Sequence, residues 1–252
     1  MRRIHRARQR HRKNFSEGIV NPLTAAAAQA GPARLIDADA YLFDIDGTLL
    51  NSRDAVHYRA FCKTLAEIYG VKATLDGLHV HGNTDIGILR AAVERAGRSA
   101  TFERLLPRAL ELLQCEVAAH IDELRPELCP SVRELVLFLH ERGKILGVAS
   151  GNLAAVGWAK ISAAGLRQFF SFGAFCDGQE TRADIVRSAI AEARKDAPWV
   201  RVCLIGDTPA DIAAARANTI PVIAVATGIF GFQELLDQQP DVCLNCCTDL
   251  FR

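Results

Sequence analysis

Two aspartates spaced two residues apart are the most informative feature of the sequence. The apolar run 40–43 is followed at once by Asp44 and Asp46. A strand that ends in carboxylates places charge at its exposed carboxyl edge, where open α/β sheets hold their ligands. Two crowded carboxylates repel each other, and a divalent cation with oxygen ligands, above all magnesium, relieves that repulsion. The segment therefore predicts a metal site beside a nucleophile.

Two further apolar runs also end in chemically useful side chains. The run 145–149 leads into Ser150, Gly151 and Asn152, and the run 202–205 leads into the segment 206–211. Either segment alone is a weak signal, because such residues also form ordinary turns and helix caps. Parallel strands share one carboxyl edge, so we expect all three strand ends to converge on a single pocket.

The three strand ends together suit phosphoryl transfer, which needs a nucleophile, an acid for the leaving group, fixed phosphate donors and a cation. Asp44 is the candidate nucleophile, which would form an aspartyl phosphate. Asp46 is the candidate general acid and base. The Ser150 hydroxyl and the amides of Gly151 and Asn152, predicted at a helix start, are candidate phosphate donors.

The expected cofactor is Mg²⁺, which prefers a few carboxylates and keeps several waters. Asp44 and Asp207 are its predicted carboxylate ligands. Asp211, four residues after Asp207, is predicted to orient the metal shell or to anchor a positive group.

The rest of the chain contains the elements that must position these groups. Residues 52–122 show helical periodicity, which predicts an inserted helical cap of three or four helices. Beyond them, helical segments alternate with short apolar runs, which is typical of a parallel sheet with crossover helices. The predicted division is a core of residues 35–51 and 123–252 with a cap of residues 52–122.

The predicted elements of the second part of the core follow in chain order. They are helices over 132–141, 152–164, 182–194, 210–217 and 232–236, and strands over 145–149, 172–175, 202–205, 222–225 and near residue 242.

The charge is unevenly distributed along the 252 residues. Seven Arg and Lys residues precede the first acidic residue, and the rest of the chain is mildly acidic. An acidic body lacks the basic face of a nucleic-acid-binding domain, so a nucleic-acid partner is not expected. Residues 1–34 are interpreted as a basic, disordered leader, with a nucleic-acid arm and a transit peptide as open alternatives.

The apolar runs and the cysteines predict the compartment. No secretory apolar region and no run long enough to cross a bilayer is visible, so no membrane partner is expected. Eight cysteines are too few for a disulfide scaffold, and we predict that they are reduced in the cytoplasm. Cys243, Cys246 and Cys247 form a tight cluster that lacks the paired spacing of a zinc site, which favours packing.

The motifs resemble those of the haloacid dehalogenase superfamily. Its D-x-D-G-T, Ser/Thr and G-D-x-x-x-D motifs match residues 44–48, Ser150 and residues 206–211. The resemblance covers residues 38–252 and implies an α/β fold, with a Rossmann-like three-layer core and an inserted helical cap. It also implies Asp44 as nucleophile, Asp46 as acid/base whose backbone carbonyl binds the metal, and Thr48 among the phosphate-binding residues.

One departure from this family concerns a lysine that usually precedes the helix before the third motif. Residues 177–184 contain no lysine. Arg182 is the candidate replacement, because a guanidinium binds phosphate and is always charged. Lys160 is the second candidate, and a surface role for Arg182 remains an alternative.

The resemblance implies a Mg²⁺-dependent phosphatase that acts on a small phosphorylated metabolite, with phosphoglycolate-like molecules and sugar phosphates as candidates. The segment 82–85 is similar to the cap of phosphoglycolate phosphatase-like members. Asp46 favours phosphate esters over halides, since acid catalysis suits an alkoxide leaving group. The alternatives are a catalytically impaired binding protein and a phosphomutase. The sequence fixes neither the substrate nor the oligomeric state.

Overall fold

Six parallel strands form one sheet in the part of the chain that the structure describes. The computed structural model describes residues 35–51, 55–72, 74–179 and 181–251, so the predicted leader of residues 1–34 lies outside it. The strands are β1 (Ala40–Phe43), β2 (Ile145–Ala149), β3 (Phe172–Ala174), β4 (Val202–Gly206), β5 (Val222–Val225) and β6 (Val242–Leu244). Their order, β3-β2-β1-β4-β5-β6, is that of a doubly wound fold.

Helices join the strands and occupy both faces of the sheet. Three of them lie between β1 and β2, at the predicted cap: α1 (Ala55–Tyr69), α2 (Asp85–Arg95) and α3 (Phe102–Ala119). The others are α4 (Val132–Glu141), α5 (Ala154–Ala163), α6 (Arg182–Ala193), α7 (Pro209–Ala217) and α8 (Phe232–Leu236). None of the described helices is both long enough and apolar enough to span a bilayer.

Burial on both faces of β1 explains its unbroken apolar sequence. Ala40 and Leu42 belong to one buried apolar cluster, and Tyr41 and Phe43 belong to another. Successive side chains of a strand point to opposite faces, so the sheet is covered on both sides. The α/β fold with a Rossmann-like, three-layer core and a parallel sheet is therefore confirmed.

The register of the central strands brings their carboxyl ends to one level. Phe43, the last residue of β1, lies opposite Val148 on one side and Ile205 on the other. Asp44, Ser150 and Asp207 come one or two residues after these partners. The three predicted motifs therefore meet at one edge of the sheet.

The inserted helices contribute buried side chains to the same apolar cluster as one face of the sheet. Leu65 of α1, Leu89 of α2 and Leu113 of α3 are fully buried in it. The segment 121–123 forms a 3₁₀ turn before the chain returns to the core. Burial of these side chains fixes the inserted helices against one another and over the sheet edge. The exact division at residues 52 and 122 stays a prediction.

The cysteine cluster lies at the last strand. The Cys243 thiol donates to the Phe232 carbonyl at 3.6 Å, and Cys247 is buried beside Leu250 in the core. Burial raises the pKa of the Cys247 thiol to about 12, which keeps it protonated and a poor metal ligand. These contacts are those of packing residues.

Candidate active site

Asp44 lies directly after β1 and is buried beside an arginine. Its amide donates to the Ile205 carbonyl at 3.0 Å, which extends the pairing with β4 by one residue. Its carboxylate oxygen Oδ1 is 2.7 Å from Arg182 Nη2. Burial raises the pKa of Asp44 to about 6, against the lowering effect of the Arg182 charge.

Three buried aspartates surround this position, and we call Asp44, Asp207 and Asp211 the acidic cluster. Their carboxylate oxygens lie within 4.8 Å of one another. Burial raises the pKa of Asp207 well above its ordinary value, and repulsion from Asp44 and Asp211 raises it further. A cation at this place would remove both the repulsion and the desolvation cost.

Arg182 is the first residue of α6 and neutralises two members of the acidic cluster. Thr181 caps the helix, because its side chain accepts a hydrogen bond from the Asp184 amide. The guanidinium donates to Asp211 Oδ1 from Nε at 2.9 Å and from Nη2 at 2.5 Å, and it also pairs with Asp44. Burial lowers the pKa of Arg182, but the charges of Asp211 and Asp44 outweigh it and raise that pKa.

Asp207 is enclosed by small residues. Thr48 Oγ1 donates to Asp207 Oδ1 at 2.9 Å. A Cβ atom added at Gly47, where φ is +90°, would lie 2.1 Å from Asp207 Oδ2. One added at Gly228 would lie 1.8 Å from the same oxygen, so the Asp207 carboxylate occupies the space that a side chain would fill.

Asp211 owes its position to the start of α7. Thr208 is the N-cap, and its amide and hydroxyl donate to Asp211 Oδ2 at 3.1 and 2.7 Å. A Cβ atom at Gly206 would lie 2.4 Å from Asp211 Cγ. Asp207 therefore lies at the end of β4, and Asp211 lies four residues later in the capping box of α7. This arrangement brings both carboxylates close to Asp44.

Asp46 is held by two donors from the neighbouring strand and its helix. Asn152 Nδ2 donates to Asp46 Oδ2 at 2.8 Å and to Ser150 Oγ at 3.0 Å. Lys160 Nζ lies 3.1 and 2.9 Å from the two carboxylate oxygens of Asp46. Burial raises the pKa of Asp46, but the Lys160 charge and the Asn152 hydrogen bond outweigh it and lower that pKa.

Two residues of the inserted helices continue this arrangement. Lys160 Nζ is 3.1 Å from Nδ1 of His57 in α1, and His57 Nε2 is 3.3 Å from Oδ2 of Asp85 in α2. We call Asp46, Lys160, His57 and Asp85 the Lys160 chain. It runs from one carboxylate through the ammonium and the imidazole to a second carboxylate, and it joins the core to the inserted helices.

The segment before α2 lies directly on the Ser150 loop. The Asp85 amide donates to the Gly151 carbonyl at 2.8 Å, and Asp85 Oδ2 accepts a hydrogen bond from the Leu153 amide at 2.8 Å. A Cβ atom at Gly151 would lie 2.4 Å from the Asn83 carbonyl oxygen. Only glycine allows this close approach of the two backbones.

These groups face a cavity of about 160 Å³ between the core and the inserted helices. The predicted site residues in its wall are Asp44, Asp46, Ser150, Gly151, Asn152 and Arg182. The inserted helices and their loops add both apolar and polar residues: Tyr58, Phe61, Leu75, Val80 and Ile88, and His57, His81, Asn83 and Asp85. A buried carboxylate, two donors from the Ser150 loop and a cation therefore share one enclosed space, which suits a small anion.

The structure also separates predicted roles. Arg182 lies at Asp44, whereas Lys160 lies at Asp46, so the two candidate cations serve different carboxylates. The hydroxyl of Thr48 is directed at Asp207. Helix α5 begins at Ala154, so the predicted helix start at Asn152 is wrong, and the amides of Gly151 and Asn152 precede the helix. The Asn152 side chain donates a hydrogen bond to Asp46, and this contact holds Asn152 in the loop before the helix.

Sequence reasoning missed three contributors to the site. Gly228 follows the run 222–225, so its place after a strand end was a usable signal. His57 lies on the buried face of α1 with Phe61, and their rings are 4.8 Å apart. A polar residue on an apolar helix face was the signal there. Asp85 gave none beyond its place at the start of α2.

Comparisons with known proteins agree with this geometry. The haloacid dehalogenase-like hydrolase family model matches residues 41–225. The phosphoglycolate phosphatase of Synechococcus elongatus is 28% identical over 222 residues, covering 84% of this chain and 95% of that protein. The pyrophosphatase PpaX of Halalkalibacterium halodurans is 25% identical over 222 residues, covering 85% and 96%.

A solved structure shows the same fold. It is described as a predicted phosphoglycolate phosphatase from Haemophilus somnus, with a TM-score of 0.67 and 18% identity. The match covers 86% of this chain and 98% of that chain. At this identity the likeness concerns the fold alone.

Proposed function

Because the chain belongs to the haloacid dehalogenase-like hydrolase family and is a phosphatase, a phosphoric monoester hydrolase, we propose that it hydrolyses a small phosphorylated metabolite with Mg²⁺ as cofactor. The observation that carries the proposal is the meeting of Asp44, Asp46 and Arg182 in one cavity, with Asp207 behind Asp44. Each requirement of phosphoryl transfer then has a residue within reach of one phosphate.

The acidic cluster fits Mg²⁺ by the chemistry of its donors. Three buried carboxylates lie around a single guanidinium, and burial together with the charges of Asp44 and Asp211 raises the pKa of Asp207. The carboxylates of Asp44 and Asp207 and the backbone carbonyl of Asp46 would hold the ion. When bound, it would offset the negative charge of the phosphoryl oxygens. Asp211 serves this site indirectly, since it fixes Arg182.

In the first half of the reaction, a carboxylate oxygen of Asp44 attacks phosphorus and forms an aspartyl phosphate. The bond between phosphorus and the ester oxygen breaks, and that oxygen takes a proton from the Asp46 carboxyl group. Because the lowered pKa leaves Asp46 ionised in the free protein, the bound phosphate monoanion first gives it this proton. Arg182, Ser150 and the amides after Ser150 bind the remaining phosphoryl oxygens. The alcohol then leaves.

In the second half, a water oxygen attacks phosphorus while the Asp46 carboxylate takes one of its protons. The bond between phosphorus and the Asp44 oxygen breaks, which releases inorganic phosphate and restores the Asp44 carboxylate. Asp46 then passes this proton to the departing phosphate, so both residues return to their initial carboxylate states.

The cavity supports a small substrate. Its volume of about 160 Å³ leaves room for a phosphate and a short leaving group under the inserted helices. Phosphoglycolate-like molecules and sugar phosphates are the candidates, and the phosphoglycolate phosphatase relative supports the first. We also propose a cytoplasmic location, because all eight cysteines are free thiols, which suits a reducing compartment.

Residues 177–184 lack the lysine that is usual in the family, and this suggested a catalytically impaired binding protein as an alternative function. Arg182 places a guanidinium 2.7 Å from Asp44, so this chain has a cation where that alternative lacked one. A phosphomutase would use the same core residues, and it would return the phosphoryl group to a sugar instead of releasing phosphate. Measuring inorganic phosphate separates it from a phosphatase.

The test is the release of inorganic phosphate from a panel of phosphate esters, with Mg²⁺ and with a chelator. The variant Asp44→Asn should lose kcat by about 10⁴-fold or more, because it removes the nucleophile. Its far-ultraviolet circular dichroism should stay that of the wild type. No release at any Mg²⁺ concentration would refute the enzyme proposal, and an active Asp44→Asn protein would refute the nucleophile.

A further inference from the structure

We propose that Lys160 is a positioning residue of the reaction, which holds the Asp46 carboxyl group where it transfers its proton to the leaving oxygen, and that His57 fixes Lys160. This inference rests on the proposed phosphatase activity. It assigns a task to a buried cation that the acidic cluster does not use.

Lys160 has polar contacts on the side of the core and on the side of the inserted helices. A lysine ammonium has three N–H donors and no acceptor. Nζ reaches Asp46 Oδ1 at 3.1 Å, Asp46 Oδ2 at 2.9 Å and His57 Nδ1 at 3.1 Å. Its side chain is 4% exposed, so water does not offer a substitute for these partners. The ammonium is therefore fixed in one place.

Lys160 lies at a position of its helix where a charged side chain is unusual. It lies on the face of α5 that also carries the buried residues Val156, Gly157 and Ile161. An apolar residue would satisfy such a face, and a buried charge costs several kcal/mol unless it is well paired. We therefore interpret the buried Lys160 as present for its contact with Asp46. The Asp46 side chain is itself 29% exposed, so it remains accessible to a substrate.

The two cations lie at different carboxylates, so we assign the role beside the nucleophile Asp44 to Arg182 and not to Lys160. Arg182 is the cation that pairs with Asp44 and Asp211. Lys160 contacts both carboxylate oxygens of Asp46 and the His57 ring, so we assign its charge to the acid/base. A general acid must hold its proton within hydrogen-bond reach of the leaving oxygen, which requires a fixed carboxyl orientation.

His57 fixes Lys160 from the side of the inserted helices. Because the ammonium only donates, His57 Nδ1 is the acceptor, and His57 Nε2 lies 3.3 Å from Asp85 Oδ2. The Leu153 amide holds that same Asp85 oxygen at 2.8 Å, and the ring of Phe61 lies against the imidazole. The His57 ring therefore has one orientation, and it presents Nδ1 to Lys160.

The experiment compares two esters that differ in their need for a proton. An alkyl phosphate such as glycerol phosphate loses a strongly basic alkoxide, whereas para-nitrophenyl phosphate loses a weakly basic phenolate. In Lys160→Met, kcat/KM for the alkyl ester should fall about 100-fold, and for the aryl ester about 10-fold or less, because general acid catalysis contributes about 10²–10⁴-fold. The ratio of the two values does not depend on the fraction of protein that folds.

Two further variants make the test specific. His57→Phe should shift the same ratio in the same direction by about threefold, because it removes the acceptor for Lys160 while keeping an aromatic ring beside Phe61. Lys144→Met is the matched control, since Lys144 pairs with Asp37 at 3.2 Å, away from the cavity residues. Its ratio and both rates should equal those of the wild type.

An equal loss of kcat/KM for both esters in Lys160→Met would overturn the assignment, since it would mark a general structural effect. So would a rise in the Mg²⁺ concentration needed for half-maximal activity, because Lys160 would then act on the metal site. Wild-type protein that hydrolyses neither ester would refute the phosphatase activity itself, and this assignment with it.

Discussion

The acidic cluster and the Lys160 chain both reach the wall of one cavity, and they handle charge in different ways. The acidic cluster holds three buried carboxylates against the single guanidinium of Arg182. In the Lys160 chain, Lys160 contacts the Asp46 carboxylate and the His57 ring, and His57 lies beside the Asp85 carboxylate. The first arrangement has one guanidinium for three carboxylates, whereas the second pairs its ammonium with a carboxylate and an imidazole.

The difference separates binding from positioning. An uncompensated buried charge is unstable by itself, so it is retained where a ligand supplies the missing charge. A compensated chain gains nothing from a ligand but fixes the direction of a carboxylate. The difference also concerns location, because the acidic cluster belongs to the core alone, whereas the Lys160 chain includes His57 and Asp85 from the inserted helices.

The largest effect should come from removing one charge of the acidic cluster. Asp207→Asn should lower kcat by about 10³-fold, because the metal clamp contributes several kcal/mol to the transition state. In the metal-free protein the same change should raise the free energy of unfolding by about 1 kcal/mol, because it relieves repulsion from Asp44 and Asp211. Phosphate release and chemical denaturation with a chelator measure the two effects.

Thermal denaturation with Mg²⁺ supplies the control for this prediction. Mg²⁺ should raise the melting temperature of the wild type, since a ligand of the folded state stabilises it, and it should not raise that of Asp207→Asn. If Asp207→Asn destabilised the metal-free protein, the acidic cluster would not be uncompensated, and the contrast with the Lys160 chain would fail.

Removing the one cation of the acidic cluster should have the next largest effect. Arg182→Met should lower the free energy of unfolding by about 3–5 kcal/mol, because it leaves the Asp44 and Asp211 carboxylates buried without their partner. Lys63→Met is the control, since its pair with Glu116 is partly exposed, and its change should stay below about 1 kcal/mol. Urea denaturation compares the two, and equal losses would contradict the argument.

The pH dependence of stability should also identify the acidic cluster. The pKa of Asp44 is raised to about 6 in the folded protein, above its ordinary value of 3.8. The folded state therefore binds more protons than the unfolded state between these values, so stability from this group is present below pH 4 and lost as the pH rises through about 6. The loss should be on the order of 1–3 kcal/mol.

Measuring that loss requires denaturation of the metal-free protein from pH 4 to 7.5, with Asp44→Asn as the matched variant. The difference in unfolding free energy between the two proteins should grow with pH in favour of the variant. A difference that is constant over this range would show that the Asp44 carboxylate ionises without cost, and added Mg²⁺ should remove the slope in the wild type.

The smallest effect should come from crowding one carboxylate without changing any charge. Gly228→Ala places a methyl group 1.8 Å from the present position of Asp207 Oδ2, so the carboxylate must move. We expect kcat to fall about tenfold, since a displacement of this kind disturbs the geometry that catalysis requires. Gly231→Ala is the control, because its nearest neighbour is the flexible end of Glu234 at 3.3 Å, and it should keep full activity.

The sequence predicted the parallel sheet and the meeting of its strand ends, because both follow from local signals. An unbroken apolar run followed by Asp44, or by Asp207, marks a buried strand and its exposed end. The helix start at Asn152 was wrong, because local periodicity does not register that the Asn152 side chain binds Asp46 across the site. A tertiary hydrogen bond decided that boundary.

The roles of the two candidate cations show most clearly what could not be predicted from the sequence. The sequence offered Arg182 and Lys160 as alternatives for one position, because nothing in their spacing says which carboxylate each reaches. The structure gives Arg182 to Asp44 and Asp211, and Lys160 to Asp46. His57 was unassigned, since its partners come from α5 and α2, far away in the chain.

The sequence by itself determined the family, the order of the elements and the residues that end the central strands, since apolar runs, turn residues and motif spacing act over a few neighbouring positions. Tertiary structure alone decided how charge is divided, with three carboxylates around Asp44 and a separate cation at Asp46. The physical reason is that a buried charge is stabilised by whichever partner lies within a few ångströms, and that distance is set by packing between elements distant in sequence.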